Sequence, residues 1–270
     1  FYMSAQNTAE HMIWCKEVAL EMDPVYFANL AVGTNEACPS WNPPPDLAAD
    51  DSYLGNGYFE TWTADVIGRR LRRAALDARY GSGEFTYTFW PWPPSNFNGL
   101  NGSTMVLDID SDGNGSRDSK ATIAMPTLYL AGMIGSMGDD LWALPEQTVN
   151  GHVVSGFAGR TSESVRLLLY SHHQFDTQSR SDRGFDVWTT ITGLSWSLAH
   201  VQDYRIDKGH NTVFPVAKEL GPRDWFGSYT PAMLAKAQDA ATLRPTQYVK
   251  RSPTNGKFRI PAKVAGNGIN

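Results

Sequence analysis

The chain has 270 residues, of which 41% are hydrophobic and 19% are charged, a globular composition that excludes an intrinsically disordered protein. The formal net charge of −5 excludes a protein whose affinity for nucleic acid depends on neutralising phosphates. No apolar run approaches the roughly 20 residues that a membrane-spanning helix needs, so we predict no membrane association.

The first half of the chain predicts helices that alternate with strands. Apolar side chains recur at helical spacing in three segments, and two short apolar or aromatic runs are typical of strands. Asn7 is the predicted N-cap of the first helix. In chain order we predict a helix at 8–22, a strand at 25–32, a helix at 58–80, a strand at 85–90 and a helix at 124–137.

This alternation predicts βα units and a parallel sheet. Two strands cannot form such a sheet alone, because their edges and faces would remain open. The sequence also begins at Phe1, not at Met, and no signal peptide precedes it. We therefore expect that the chain was processed or begins within a longer protein, and that half of a barrel is missing from it.

From about residue 145 the hydrophobic pattern changes to a period of two, which predicts an antiparallel β-sandwich. A short helix is expected at 231–243. The predicted strands are 153–157, 165–170, 185–191 and 201–206.

Three other groups of residues favour structural roles. The arginines that follow Gly68 are predicted to form a solvated helix face, and the two cysteines allow a disulfide without requiring one. His172 and His173 lie near a strand end with Asp176, where no third ligand is spaced for zinc, so we predict a loop role for them. The arginines and cysteines are Arg69, Arg70, Arg72, Arg73, Cys15 and Cys38.

Glu36 is the main candidate for catalysis. It follows the predicted strand at 25–32, and catalytic groups of βα barrels stand at the carboxyl ends of strands. A carboxylate there can attack an anomeric carbon or protonate a leaving oxygen. The position alone also fits a solvated loop residue. The nine Trp, eleven Tyr and twelve Phe residues favour a carbohydrate ligand, because flat aromatic rings stack on the apolar faces of sugars.

The order of these features resembles glycoside hydrolase family 39, which contains β-xylosidases and α-L-iduronidases. In that family a strand ends at the Thr-Glu nucleophile, followed by a long loop and helix, an aromatic strand and a helix that opens near a proline. Here Thr34-Asn35-Glu36, helix 58–80, Tyr87 to Trp90 and Met125-Pro126 occupy these places in order. The run from Tyr204 to Asn211 resembles the tyrosine, arginine, isoleucine and aspartate of the family, followed by His and Asn.

The resemblance implies a fold of mixed class, α/β plus all-β. Residues 1–140 would be the C-terminal portion of a (β/α)8 TIM barrel, and residues 141–270 an antiparallel β-sandwich. One departure is that Asn35 stands between Thr34 and Glu36. An Asn-Glu pair is also typical of the acid/base residue on the fourth strand of related barrels. Because only one further strand is predicted before the sandwich, we assign Glu36 as the nucleophile.

The resemblance also implies double displacement through a glycosyl-enzyme intermediate. The second carboxyl would belong to an Asn-Glu-Pro on strand four, which this chain lacks, so we expect a partner that carries the N-terminal half of the barrel. Asn35 is predicted to bind substrate beside the nucleophile. Trp90 is predicted to stack on the sugar, with Trp92 as the alternative, and Trp41 to line the mouth of the cleft.

An acidic loop at 108–118 matches the start of a calcium-binding loop, because carboxylates alternate before a glycine at the sixth position. Ser119 at the twelfth position excludes a standard EF-hand. A solvated acidic turn is the alternative. The calcium would be structural, and catalysis would need no cofactor. The predicted ligands are Asp108, Asp110, Asp112, Asn114 and Asp118.

Two classes of function remain open from the sequence. The first is a secreted retaining glycosidase that acts on a carbohydrate when joined to its N-terminal half. The second is a non-catalytic carbohydrate-binding or structural subunit that keeps the glycosidase fold. Loss of hydrolysis in a folded Glu36→Gln variant would favour the first, and sugar binding without hydrolysis would favour the second.

Overall fold

A computed structural model describes residues 4–28, 56–80, 106–109, 118–175, 183–220 and 230–270. The helices are α1 (Ala5–Met22), α2 (Tyr58–Leu76), α3 (Pro126–Gly135), α4 (Phe214–Leu220) and α5 (Pro231–Ala241), with a short 3-10 helix at Ala78–Tyr80. The strands are β1 (Val106–Ile109), β2 (Asp118–Ala124), β3 (Leu141–Ala143), β4 (Gln147–Val149), β5 (His152–Arg160), β6 (Val165–His172), β7 (Gly184–Thr192), β8 (Ala199–Tyr204), β9 (Pro245–Arg251), β10 (Lys257–Ala265) and β11 (Gly268–Ile269).

Helix α1 begins three residues earlier than the sequence predicts, because Ser4 is the residue that caps it. The Ser4 hydroxyl accepts a hydrogen bond from the backbone N–H of Asn7 at 2.9 Å. Asn7 therefore lies in the first turn as the donor, and the prediction of Asn7 as the N-cap was wrong. Either residue type suits the position, so the sequence did not distinguish them.

The chain turns after α1, where the sequence predicts the start of a buried strand. The side chain of Asp23 accepts hydrogen bonds from the backbone N–H groups of Val25 and Tyr26 at 3.0 and 2.9 Å. This local turn competes with an extended conformation. Val25 and Tyr26 are 83% and 64% exposed, so the prediction was wrong for these residues. Residues 29–32 lie outside the described residues.

Five strands form the largest described sheet. Strands β5 and β6 pair antiparallel along their lengths, from Val153 opposite His172 to Arg160 opposite Val165. Strands β3 and β4 pair with the other edge of β5, and β11 pairs with the other edge of β6. Two separate antiparallel ribbons join β7 to β10 and β8 to β9.

The four strands predicted after residue 145 are confirmed as β5, β6, β7 and β8, and the helix predicted at 231–243 as α5. Every described strand pair is antiparallel. The strand predicted at 85–90 lies outside the described residues, so the parallel sheet stays a prediction.

Helix α2 packs on the five-stranded sheet, and the core forms between them. Phe157 of β5 and Leu168 of β6 are 0% and 2% exposed there, and each such side chain stabilises the fold by about 1.5–3 kcal/mol. Gly159 allows close packing, since a Cβ at this position would clash with the carbonyl oxygen of Met137. The cluster contains Ala64, Leu130, Met137, Phe157, Leu168, Tyr170, Ile206 and Ile269.

The arginines of α2 are not a solvated face, so that prediction was wrong. Arg70 is 2% exposed, and its guanidinium lies 3.5 Å from the sulfur of Met12 on α1. The side chains of Arg69 and Arg72 are 18% and 23% exposed and are paired with acidic residues. The reason is that α2 packs against α1 on one side and against the sheet on another. Cys15 is a free, exposed thiol, and Cys38 lies outside the described residues.

Candidate functional site

The predicted substrate site falls almost entirely on residues that the structure does not describe. Glu36, Asn35 and Trp41 lie between residues 29 and 55, and Trp90 and Trp92 lie between residues 81 and 105. Their predicted roles stay predictions.

Lys16 of α1 binds the turn that follows this helix. Its side chain is buried in α1, and its ammonium donates hydrogen bonds to the carbonyl oxygens of Phe27 and Ala28 at 2.6 and 3.1 Å. A buried ammonium needs such acceptors to offset its desolvation. The contact holds the turn after α1 directly before the segment that leads to Glu36.

The two ends of the acidic segment lie in paired strands. Asp108 belongs to β1 and Asp118 to β2, and Ile109 is the register partner of Asp118. The sequence predicts a loop at both of these positions, so that part of the prediction was wrong. Asp110, Asp112 and Asn114 lie outside the described residues, so the calcium prediction stays a prediction. The described residues contain no group of three potential metal ligands.

A network of charged and hydroxyl groups connects α2 to the sheet. Asp65 accepts a hydrogen bond from the Arg69 Nε at 3.0 Å, and Asp65 Oδ1 accepts one from the Tyr170 hydroxyl at 3.1 Å. Arg72 donates to Ser155 Oγ at 2.8 Å and pairs with Glu146. Burial raises the pKa of Asp65, while Arg69 opposes that shift. The network satisfies polar groups that would otherwise be buried without partners.

Glu60 lies at the contact between α2 and α3. It is 1% exposed, and its Oε1 accepts a hydrogen bond from the Thr127 hydroxyl at 2.7 Å. Its other carboxyl oxygen has no hydrogen-bond partner among the described residues. Burial raises the pKa of Glu60 from 4.5 to about 7, and the Thr127 hydrogen bond opposes that shift. The carboxyl can therefore hold a proton near neutral pH, but it is closed to substrate.

His172 is a buried core residue, so the predicted loop role was wrong for it. It ends β6, is 3% exposed, and its Nδ1 lies 3.1 Å from the Thr61 hydroxyl of α2. Burial lowers its pKa from 6.5 to about 3, and the charges of Arg69, His173 and His152 add to the shift. The ring is neutral at physiological pH. Asp176 lies outside the described residues.

The segment from Tyr204 to Asn211 forms a compact turn around one carboxylate. The carboxylate of Asp207 is 4% exposed and accepts hydrogen bonds from Arg205 at 2.9 Å, from the Gly209 N–H at 2.8 Å and from His210 Nδ1 at 2.8 Å. Asn211 has a φ of 54° and exchanges side-chain hydrogen bonds with the backbone of Arg205 and Arg244. This motif therefore organises the backbone.

Sequence reasoning did not single out Glu60, Asp65 or Tyr170. The available signal was the position of Glu60 between two large aromatic residues, Phe59 and Trp62. A charged residue within such a stretch indicates a buried group with a perturbed pKa.

The described fold has counterparts among solved structures. One is a bacterial orthologue of human α-L-iduronidase, at 13% identity and a TM-score of 0.62, covering 100% of this chain and 45% of that chain. Another is a monomeric β-xylosidase from Caulobacter crescentus CB15, at 13% identity and a TM-score of 0.50, covering 89% of this chain and 44% of that one. The chain is similar in fold to glycoside hydrolase family 39 enzymes.

No protein-family model matches the sequence, and no curated protein matches it. The chain spans less than half the length of the two family 39 structures named above. None of the described helices is both long and apolar enough to cross a membrane.

Proposed function

We propose that this chain is the C-terminal part of a retaining glycoside hydrolase. Residues 1–140 would contribute the last two strands of a (β/α)8 barrel with their helices, and residues 141–270 would form a β-sandwich. The observation that carries the proposal is the extent of the fold similarity. It includes the whole of this chain but only 45% of the iduronidase orthologue.

In the proposed mechanism, Glu36 attacks the anomeric carbon and forms a covalent glycosyl-enzyme intermediate. An acid/base carboxyl on the N-terminal half of the barrel protonates the leaving oxygen and later activates water. Asn35 would bind the sugar beside the nucleophile. Trp90, or Trp92 in its place, would stack on the sugar ring, and Trp41 would line the entrance.

Three buried carboxyls among the described residues are unsuited to either catalytic role. A nucleophile or acid/base residue must contact substrate. Glu60, Asp65 and Asp207 are 1%, 1% and 3% exposed, and each is engaged by neighbouring side chains. They serve the fold, and the proposal of Glu36 as the nucleophile rests on its place in the family resemblance.

A trapping experiment tests Glu36 directly. The native protein, with any chain that co-purifies, is incubated with activated 2-deoxy-2-fluoro glycosides of several sugars and then digested for peptide mass spectrometry. We expect one peptide, containing Glu36, to gain the mass of a single fluorinated sugar. Labelling of a different carboxyl in this chain would overturn the assignment.

Chemical rescue provides a second test. Glu36→Gly should abolish hydrolysis of aryl glycosides, and added azide should restore turnover and give a glycosyl azide of inverted anomeric configuration. Glu163→Gln is the matched control, because Glu163 is exposed in a loop between β5 and β6 and should leave hydrolysis unchanged. A folded complex that binds sugar but never hydrolyses it would instead support the carbohydrate-binding subunit.

The proposed partner is a second polypeptide segment that carries the acid/base residue. A denaturing gel with intact mass measurement on the native protein tests this. We expect a covalently continuous or co-purifying segment with an Asn-Glu-Pro after a strand. Secretion of the protein to reach an extracellular glycan is part of the proposal, and cell fractionation with an antibody to this chain tests it.

A further inference from the structure

Trp188 is a large aromatic side chain held open to solvent on the ribbon of β7 and β10. Trp188 is 58% exposed. The guanidinium of Arg259 lies over the indole, 4.7 Å from the ring centroid, and this cation–π contact fixes the ring. An exposed and oriented indole offers a flat apolar surface on which a ligand ring can stack.

The strand register places Arg259 on one side of the indole. Trp188 pairs with Pro261, Arg259 pairs with Thr190, and Asp186 pairs with Lys263. Arg259 therefore approaches from the Thr190 end of the ribbon, while the Asp186 and Lys263 pair lies in the opposite direction along the strands. The ring face toward that pair is the one left for a ligand.

Trp188 also lines a groove between the two ribbons. The groove has a volume of about 520 Å³, within the range of small-ligand sites. One wall comes from β7 and β10 and the other from β8, β9 and the residue after β8. Its lining includes Asp186, Trp188, Asp203, Arg205, Gln247 and Lys263. We name it the Trp188 groove.

Several polar side chains of the Trp188 groove can make further hydrogen bonds. The side chains of Asp186 and Lys263 make no hydrogen bond or ion pair with any described residue, although the two are register partners. The side chain of Asp203 accepts one hydrogen bond from the described residues, from the Thr246 hydroxyl at 3.3 Å. Unpaired groups of this kind are satisfied when a hydroxylated ligand replaces water.

We propose that the Trp188 groove is a binding site for a neutral sugar unit of an oligosaccharide. The apolar face of the sugar ring stacks on Trp188, and its hydroxyl groups bond to Asp186, Asp203 and Lys263. The groove carries two carboxylates and two cations, a balance that favours a neutral ligand over a polyanion. An apolar peptide would leave the charges of Asp186 and Lys263 desolvated without partners, at a large cost.

This site is separate from the proposed catalysis, because it uses only residues of β7 to β10 and the turn after β8. Binding at the groove and hydrolysis at Glu36 can therefore succeed or fail independently. The site would hold a glycan chain while a different part of it is processed.

Calorimetric titration of the full chain with xylohexaose, cellohexaose and maltohexaose tests the proposal. At least one of them should bind, and Trp188→Ala should weaken that binding by about tenfold or more, since loss of an aromatic stacking partner has an effect of this order. Trp142→Ala is the matched control. Trp142 is 49% exposed on β3 and outside the groove, so its removal should leave the affinity unchanged.

Asp203→Asn provides a second variant, and it should weaken binding while circular dichroism shows an unchanged fold. Glu36→Gln should retain binding, which separates this site from the catalytic proposal. Absence of binding to all three neutral oligosaccharides would overturn the inference. So would equal losses in the Trp188 and Trp142 variants, or tighter binding of a sulfated oligosaccharide than of a neutral one.

Discussion

The hydroxyl of Tyr170 on β6 donates a hydrogen bond to Asp65 on α2 at 3.1 Å, joining residues that are 105 positions apart. Both side chains are buried, at 0% and 1% exposure. Burial raises the pKa of Tyr170 above its usual range, and the neighbouring Asp65 charge adds to the shift. The hydroxyl therefore keeps its proton and remains a donor, which fixes the orientation of α2 on the sheet.

Tyr170→Phe should lower the free energy of unfolding by about 1–3 kcal/mol, because it removes one partner of a buried carboxylate. Urea denaturation measures the change. Tyr204→Phe is the control, because its hydroxyl makes only a long, exposed hydrogen bond to Gln202 at 3.4 Å. Equal effects of the two substitutions would show that the Tyr170 hydrogen bond contributes nothing.

Two helical glycines should respond in opposite ways to alanine. A Cβ on Gly68 of α2 would lie 2.5 Å from the Tyr170 hydroxyl, whereas one on Gly132 of α3 would meet nothing within 4 Å. Gly132→Ala should raise the free energy of unfolding by about 0.5–1 kcal/mol through helix propensity. Gly68→Ala should lower it, because the buried Tyr170 ring has to move. Thermal unfolding of both variants is the measurement, and stabilisation by Gly68→Ala would refute the packing argument.

Glu60 should make the protein less stable as the pH rises toward neutrality. Its folded-state pKa is raised from 4.5 to about 7, so its favourable contribution is complete below pH 4.5 and is lost as the pH rises through 7. The loss amounts to roughly 3 kcal/mol at most. Glu60→Gln should remove this dependence in urea denaturation at pH 4.5 and 7.5. Glu163→Gln, at an exposed position, should not, and an unchanged slope in Glu60→Gln would contradict the prediction.

Protonation of His172 should make the protein less stable as the pH falls below neutrality. Its folded-state pKa is lowered from 6.5 to about 3, so the stability it contributes is present above pH 6.5 and is lost as the pH falls toward 3. His172→Gln should flatten the fall in thermal midpoint between pH 7 and 4. His200→Gln, at an exposed position on β8, should leave that fall as it is. If both variants keep the wild-type profile, His172 is not the titrating group.

Of the four strands that the sequence predicted after residue 145, β7 and β8 alternate in exposure, whereas much of β5 and β6 is buried on both faces. Strand β10 also alternates and was missed. Strand β7 alternates between partly buried and exposed residues over its whole length, and its hydrophobic residues follow the same period of two. Strand β9 was missed because Thr246, Gln247 and Tyr248 are all exposed, so no alternation marks it. A period reports a difference between faces and is silent when both faces meet solvent.

In α2 the helix was predicted, but the environment of its arginines was not. Its apolar positions predicted a helix with one buried face, and the arginines were assigned to the other. The structure buries Arg70 against Met12, because a second helix covers that face. Whether a cationic face meets water or another helix depends on tertiary packing, which no local pattern contains. The same limit applies to Glu60 and His172, whose partners Thr127 and Thr61 come from other elements.

The predicted substrate site lies outside the described residues and stays a prediction. Glu36 and the three tryptophans were selected by their order along the chain and by a family resemblance, and the fold similarity supports the second of these. The Trp188 groove was not predicted, because it depends on two ribbons whose separation in space has no signature in sequence.

The short strand β11 has a consequence for synthesis of the protein. Gly268 and Ile269 close the outer edge of β6, and Asn270 exchanges two backbone hydrogen bonds with Leu169. While a ribosome is still adding the residues between them, β5 and β6 can pair, but the far edge of β6 has no partner. An open edge invites pairing with another chain. Nascent chains on one messenger can therefore pair through this edge until the last residues are made.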